Sequence, residues 1–211
     1  MAVKREYTSE LRAGQARETR RLIVAAAARL YVRDGYGVTT IDAIAAAAGV
    51  GRKTVFASAG GKAQLLKLAL DWAVVGDDEP VPLAQRPEVR AIGRVTDPDA
   101  IIGGFVTVVA DSARRVAELS QVLLVAAGID PEMKALRGEK VGHRLAGARA
   151  FVTHLANHGG LRADLDVDTA TDIVWVHSDP GLYYRLVIER HWTHQRFTTW
   201  LNRTLTVQMR P

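Results

Sequence analysis

The sequence contains no cysteine, which rules out a disulfide framework, a thiolate zinc site and a cysteine nucleophile. That absence is compatible with a reducing cytoplasm. No apolar run approaches the roughly 18 residues of a membrane span. The stretch Ala100 to Ala110 is among the longest uncharged ones, and it is much shorter than a span. Met1 to Glu10 carries Lys4, Arg5 and Glu6 with no apolar core behind them, so it does not read as a secretory signal. No 20–50-residue period recurs, which argues against a solenoid. Alternating runs of β-branched residues between turn residues hardly occur, so sheet is not expected. What the 211 residues do contain is 48% apolar and 24% charged, the mixture of a folded globular chain long enough for a sizeable core.

Charge is unevenly distributed. Residues 1–70 hold 12 Lys and Arg against 5 Asp and Glu, a net +7, whereas residues 71–211 carry −2 of the overall +5. A basic head on a slightly acidic body points to a polyanion partner for the head alone.

Helical spacing dominates the chain. A first helix is expected over Arg17 to Arg33, with Leu22, Ala26 and Leu30 beside Ile23, Ala27 and Tyr31 on one stripe. Asp34-Gly35 ends it. Thr39 or Thr40 can cap a short helix Ile41–Ala48, which Gly49 terminates. A third runs over Arg52–Ser58 and stops at Gly60-Gly61. A fourth starts near Lys62 and reaches about Val75. The stretch Gly76 to Pro87 holds three of the seven prolines and the acidic run Asp77-Asp78-Glu79, and reads as a linker or loop that a short helix can follow. Asp97-Pro98 and Asp130-Pro131 are helix starts, a capping acid followed by proline at the first turn. The first of these helices carries Ile101, Phe105, Val108, Val109 and Val116. The second ends at about Asn157, before His158-Gly159-Gly160. Asp166 or Asp168 can cap another helix through Val174 and Trp175, which Ser178-Asp179-Pro180-Gly181 interrupts. Thr193 caps the last, with Phe197, Trp200, Leu201 and Leu205 on one face. The fold class is all-α with about nine helices.

Function is concentrated in Thr39 to Lys62. Two short helices flank a glycine turn, with Ala45 small where they cross and Ile41, Ile44, Ala48, Val50 and Val55 on the buried side. That is a helix-turn-helix, which presents one helix to the major groove of DNA. Arg52, Lys53, Thr54 and Phe56 face outward on that helix. The two cations can donate to guanine or phosphate, Thr54 can meet a phosphate or a thymine methyl, and Phe56 can only pack. Thr40 offers a hydroxyl and a helix N-terminus to phosphate, and Lys62 a phosphate clamp. Arg5, Arg12 and Arg17 suggest a basic arm along the backbone or minor groove.

These residues resemble a TetR-family transcriptional regulator. The resemblance rests on Arg20-Arg21-Leu22-Ile23 with Ala26, Asp34-Gly35-Tyr36 before Thr39-Thr40, Ile44-Ala45 with Ala48-Gly49-Val50, Thr54-Val55-Phe56, and Lys62 with Leu65-Leu66. It covers about residues 17–70. It implies a homodimer on a two-fold operator, released by a small molecule held in the C-terminal body, with the last two long helices forming the dimer interface. Three positions depart from the family's pattern. Phe56 stands where Tyr is usual, Ser58-Ala59 where His or Tyr and then Phe are favoured, and Gly51 where Ser is frequent. The missing hydroxyl shifts more of the DNA contact onto Arg52, Lys53 and Lys62.

The expected organisation is a basic arm at 1–16, a helix-turn-helix domain at 17–76 and a ligand-binding and dimerisation body at 77–211. Trp72, Phe105, His143, Phe151 and Trp175 are candidate effector contacts, although core packing is the better account of aromatic residues at this spacing. Tyr183, Leu186, Phe197, Trp200, Leu201 and Leu205 are candidate dimer contacts, with packing inside one subunit as the other reading.

No enzyme, cofactor or metal site emerges from the spacing. His154 and His158 lack the intervening Glu of a zinc-protease helix, and His191 and His194 straddle a helix boundary. In Asp164-x-Asp166-x-Asp168, Thr169 occupies the place of the glycine and Trp175 that of the bidentate Glu of a calcium loop. Gly103-Gly104 is too isolated for a phosphate loop, and Ser112, Ser120 and Ser178 lack a nucleophile elbow. The expectation is therefore a cytoplasmic, ligand-responsive, DNA-binding regulator acting as a repressor. A second reading is a helical small-molecule-binding protein whose head does not read DNA.

Overall fold

The computed structural model describes residues 2–210, and side-chain surroundings from residue 12 onward. Among the described residues there are ten α-helices, a 3₁₀ turn at Leu83–Gln85, a π-helical segment at Tyr184–Glu189, and no strand. The helices are α1 (Ala2–Asp34), α2 (Ile41–Ala48), α3 (Arg52–Ala59), α4 (Lys62–Val75), α5 (Pro87–Ile92), α6 (Pro98–Ala126), α7 (Pro131–Asn157), α8 (Val167–His177), α9 (Pro180–Tyr183) and α10 (His194–Met209).

Most helix starts are set by side-chain caps readable in the sequence. Asp97 accepts from Ala100 N, Asp130 from Glu132 N and Met133 N, Asp166 from Thr169 N and Thr193 from Arg196 N. Each satisfies backbone donors that have no intrahelical partner. Asp179-Pro180 interrupts the eighth helix as expected, because Asp179 accepts from Gly181 N and starts a new short helix. The expected arm at 1–16 differs from what is observed: α1 begins at Ala2 and is continuous with the head.

The apolar stripe of α1 is shifted from the expected row. Ile23, Val24, Ala26, Ala27, Leu30 and Tyr31 are buried, whereas Leu22 is half exposed. The buried arc therefore starts one residue later than the i, i+4 row beginning at Leu22.

Two cores form. The first gathers α1 to α4 against the C-terminal half of α6 (Val116, Leu119, Leu123, Ala126) and the first turns of α7 (Met133, Leu136). The second joins the N-terminal half of α6 to the C-terminal half of α7 and to α8, α9 and α10. The two longest helices after α1 therefore belong to both cores and form the rigid frame on which the head is carried.

Candidate nucleic-acid interface

Thr40 initiates α2 by accepting from Ala43 N at 3.1 Å. Just past the helix, Gly49 adopts φ 69° and ψ 29°. Gly49 N–H donates to Ala46 O at 3.2 Å and Val50 N–H to Ala45 O at 3.0 Å, the paired bonds of a Schellman turn. The left-handed residue in that motif favours glycine. The turn swings α3 across α2, where Val55 and Ala59 insert into the first core and Ile41, Ile44 and Ala45 meet them. Below the pair, Thr39 is buried and donates to Gly35 O at 2.8 Å. The fully buried Tyr31 donates its hydroxyl to Lys62 O at 2.9 Å, and burial pushes its pKa above the ordinary tyrosine value. The head is thus fixed by apolar contacts underneath and by polar bonds at its loops.

With Val55 pointing inward, Arg52, Lys53, Thr54 and Phe56 lie exposed on α3, together with Thr40 at the head of α2. Phe56 leaves 47% of its surface open to solvent, far more than a core aromatic would. Arg52 Nη1 donates to Asp42 Oδ2 at 2.7 Å, and its guanidinium lies 5.6 Å from the centre of the Phe56 ring. Lys62 is half-buried; its Nζ donates to Gly37 O at 3.2 Å and stands 4.7 Å over the Tyr36 ring. The ammonium is anchored to the loop before α2 while keeping donors to spare.

The candidate arm behaves differently from the expectation. Arg17 Nε and Nη2 donate to both carboxylate oxygens of Asp78, at 2.6 and 2.7 Å, and Nη2 also reaches Glu79 at 3.3 Å. Arg21 Nε adds a second cation 3.4 Å from Asp78. The Asp78 side chain is only 5% exposed, and the Arg17 hydrogen bond holds its pKa down at about 2. Arg17 is committed to the segment after α4. Arg12 is exposed on α1, and the side chain of Arg5 lies outside the described residues.

The sequence gives no sign of what joins head to body. Tyr36 donates its hydroxyl to Asp130 Oδ2 at 3.3 Å, linking the loop before α2 to the cap of α7. Arg115 on α6 donates to Ala73 O and Val74 O at 2.8 and 2.9 Å, closing the C-terminal carbonyls of α4. Lys67 pairs with Glu139, and Lys140 with Asp71. The segment Asp77–Glu79, expected to be a plain linker, is also clamped by Arg86, whose two Nη atoms bond both oxygens of Asp77. These partners lie 9 to 94 positions apart in the chain, beyond the reach of any local pattern.

The candidate effector contacts do not converge. Phe105 and Phe151 stack with ring centres 4.0 Å apart inside the second core. Trp175 borders the same core, with the Arg144 guanidinium 5.1 Å from its ring. Trp72 packs against the first core instead. His143 is exposed on α7 and lines no interior.

Of the six candidate dimer contacts, four are covered by their own subunit and two are partly open. Tyr183, Phe197, Leu201 and Leu205 are buried within their own subunit, because α10 lays its apolar stripe on α6. Leu186 and Trp200 are half-buried against the same core. The apolar side chains that these last elements leave exposed are Val176, Ile188 and Val207. The His154 and His158 rings lie 4.5 Å apart, but His154 Nε2 bonds Val95 O and His158 Nδ1 bonds His154 O, so each ring is engaged with backbone.

Residues 23–69 match the family model described as bacterial regulatory proteins, tetR family. No curated protein sequence matches the chain. Among solved structures, the SmeT–triclosan complex is similar with a TM-score of 0.71 and 16% identity, covering 92% of each chain. The MbdR regulator from Azoarcus sp. CIB is similar at 0.63 and 21% identity, covering 89% of this chain and 97% of its own. Salmonella enterica GusR is similar at 0.65 and 18% identity, over 91% of this chain and 95% of its own. At these identities the likeness is one of fold.

Proposed function

We propose that this chain, whose residues 23–69 match the family model described as bacterial regulatory proteins, tetR family, is a sequence-specific DNA-binding repressor that works as a homodimer and lets go of its operator on binding a small molecule. The observation that carries this reading is the exposed face of α3. Arg52, Lys53, Thr54 and Phe56 stand clear of the body while Val55 and Ala59 hold the helix from behind. The basic head supplies the electrostatic part of binding. Thr40 and Lys62 would fix the register on phosphates, and α3 would read base edges in the major groove.

A two-fold operator requires two heads on one duplex, hence a dimer. Val176, Ile188 and Val207 are the exposed apolar groups that the last helices offer for such an interface. The effector would enter the second core around Phe105, Phe151 and Trp175, where aromatic surface favours a small apolar molecule. Neighbours of the same fold are described in complex with triclosan and with choline. Release needs an effector that favours the arrangement unable to straddle DNA, since equal affinity for both arrangements shifts nothing. The frame formed by α6, with Arg115 on the last carbonyls of α4, connects that core to the head. Repression is cytoplasmic work, where the chromosome lies.

Selection of bound fragments from random duplexes in rising salt tests the proposal. The expected product is an inverted repeat whose half-sites lie about one or more helical turns apart. Recovery of no preferred sequence, with strong retention of apolar small molecules, would favour a ligand-binding protein whose head does not read DNA.

A further inference from the structure

Across residues 35–62, Asp42 is the single acid among three cations, and it stands on the surface that would face DNA. A carboxylate there repels phosphate and works against the basic head, so its presence calls for a reason. Asp42 gains modestly from the helix dipole through its place in the first turn of α2, but any acid in that turn would gain the same, and its pairing with Arg52 adds little to folding. The Asp42 and Arg52 side chains are 66% and 58% exposed, and ion pairs in that setting contribute little to folding. What the pair does is fix a direction. Asp42 takes Nη1 of Arg52 at 2.7 Å, and the Phe56 ring lies under the guanidinium at 5.6 Å. One donor edge of the fork is thereby occupied and one face covered. The Nε and Nη2 hydrogens remain as a parallel pair of donors.

From this geometry we infer that Asp42 is a positioning residue that makes Arg52 a guanine reader instead of a phosphate clamp. The inference rests on the DNA-reading function proposed above. A parallel donor pair matches the O6 and N7 acceptors of guanine in the major groove. The Asp42–Arg52 pair is close to neutral as a unit, so it has lost much of the attraction for the phosphate backbone that a lone Arg52 would have. Lys53 and Lys62 are left to supply that attraction. A held guanidinium also gives up less side-chain freedom on binding than a free one.

The test is duplex selection by the full-length protein and three variants, followed by binding titrations against salt. The parent protein is expected to require guanine at one symmetric position in each half-site, by roughly 5- to 150-fold over other bases. Arg52→Ala abolishes that preference. Asp42→Ala also reduces it to within about twofold, while total affinity holds or rises and the salt slope steepens by about one as Arg52 moves to a phosphate. Asp42→Asn keeps an acceptor of the same shape and retains most of the preference. Because the pair is exposed, all three variants should unfold within about 4 °C of the parent, the two Asp42 variants losing only the helix-dipole gain of an acid in the first turn of α2. An Asp42→Ala protein that still demands guanine at the Arg52-dependent position overturns the inference and leaves DNA reading intact. A parent protein that selects no duplex overturns both.

Discussion

Replacing Gly49 by alanine isolates backbone strain at the turn that aims α3. Three effects compete. An added Cβ meets nothing within 4 Å, so there is no steric contribution. The residue must remain at φ 69°, where an L side chain costs about 1–2 kcal/mol. Against this, alanine restricts the unfolded chain, which returns about 0.4–1 kcal/mol. The expected net loss is about 1 kcal/mol, or roughly 2–4 °C in melting temperature for a chain of this size. Gly49→Asn should lose less, because asparagine tolerates the left-handed region. Gly159, after α7, gives an internal control: its φ is 70° and its virtual Cβ also meets nothing. Gly159→Ala should cost similar stability without touching the head. Thermal unfolding and duplex binding on both variants make the comparison. If both lose stability alike but only Gly49→Ala weakens DNA binding, the turn sets the pose of α3. A Gly49→Ala protein as stable as the parent, or a Gly159→Ala protein equally weak on DNA, would refute the reasoning.

Other outcomes follow from the same contacts. Phe151→Ala removes a buried ring stacked on Phe105 and should cost about 3–5 kcal/mol by denaturant titration, with the head's contacts unaltered. Asp78 has its pKa held below the ordinary carboxylate value, down to about 2, by Arg17. Its stabilising effect is therefore present above about pH 4 and fades as pH falls through 2. The stability gap between the parent and Asp78→Asn should then close on acidification over that window; a gap constant with pH would contradict the pairing. Asp130→Ala removes a helix cap and the acceptor of Tyr36, and should cost about 1–2 kcal/mol in thermal unfolding. Lys62→Ala should weaken all duplexes alike and lower the salt slope by about one; a changed base preference would contradict its assignment to phosphate.

Local chemistry written along the chain determined where helices begin and end. Asp or Thr at a cap, proline in the first turn and glycine past the last turn act within a few residues, so Gly49, Asp97, Asp130 and Thr193 could be read one by one, whereas the structure chose Thr40 over Thr39 and Asp166 over Asp168. The same holds for most of the outward face of α3: with Val55 buried, Lys53, Thr54 and Phe56 lie about 100° or more around the helix from it, whereas Arg52, on the arc of Val55 and Ala59, is exposed because it is the first residue of the helix. Only the tertiary structure decided what each stripe is buried against. An apolar row looks the same whether a neighbouring helix or a second subunit covers it, which is why Phe197, Leu201 and Leu205 lie in their own subunit's core. It also decided which charges are spoken for. Arg17 is claimed by Asp78, 61 positions away, and Arg52 is turned by Asp42 across a glycine turn. Ionic partners are chosen by distance in space, and only the folded backbone sets that distance.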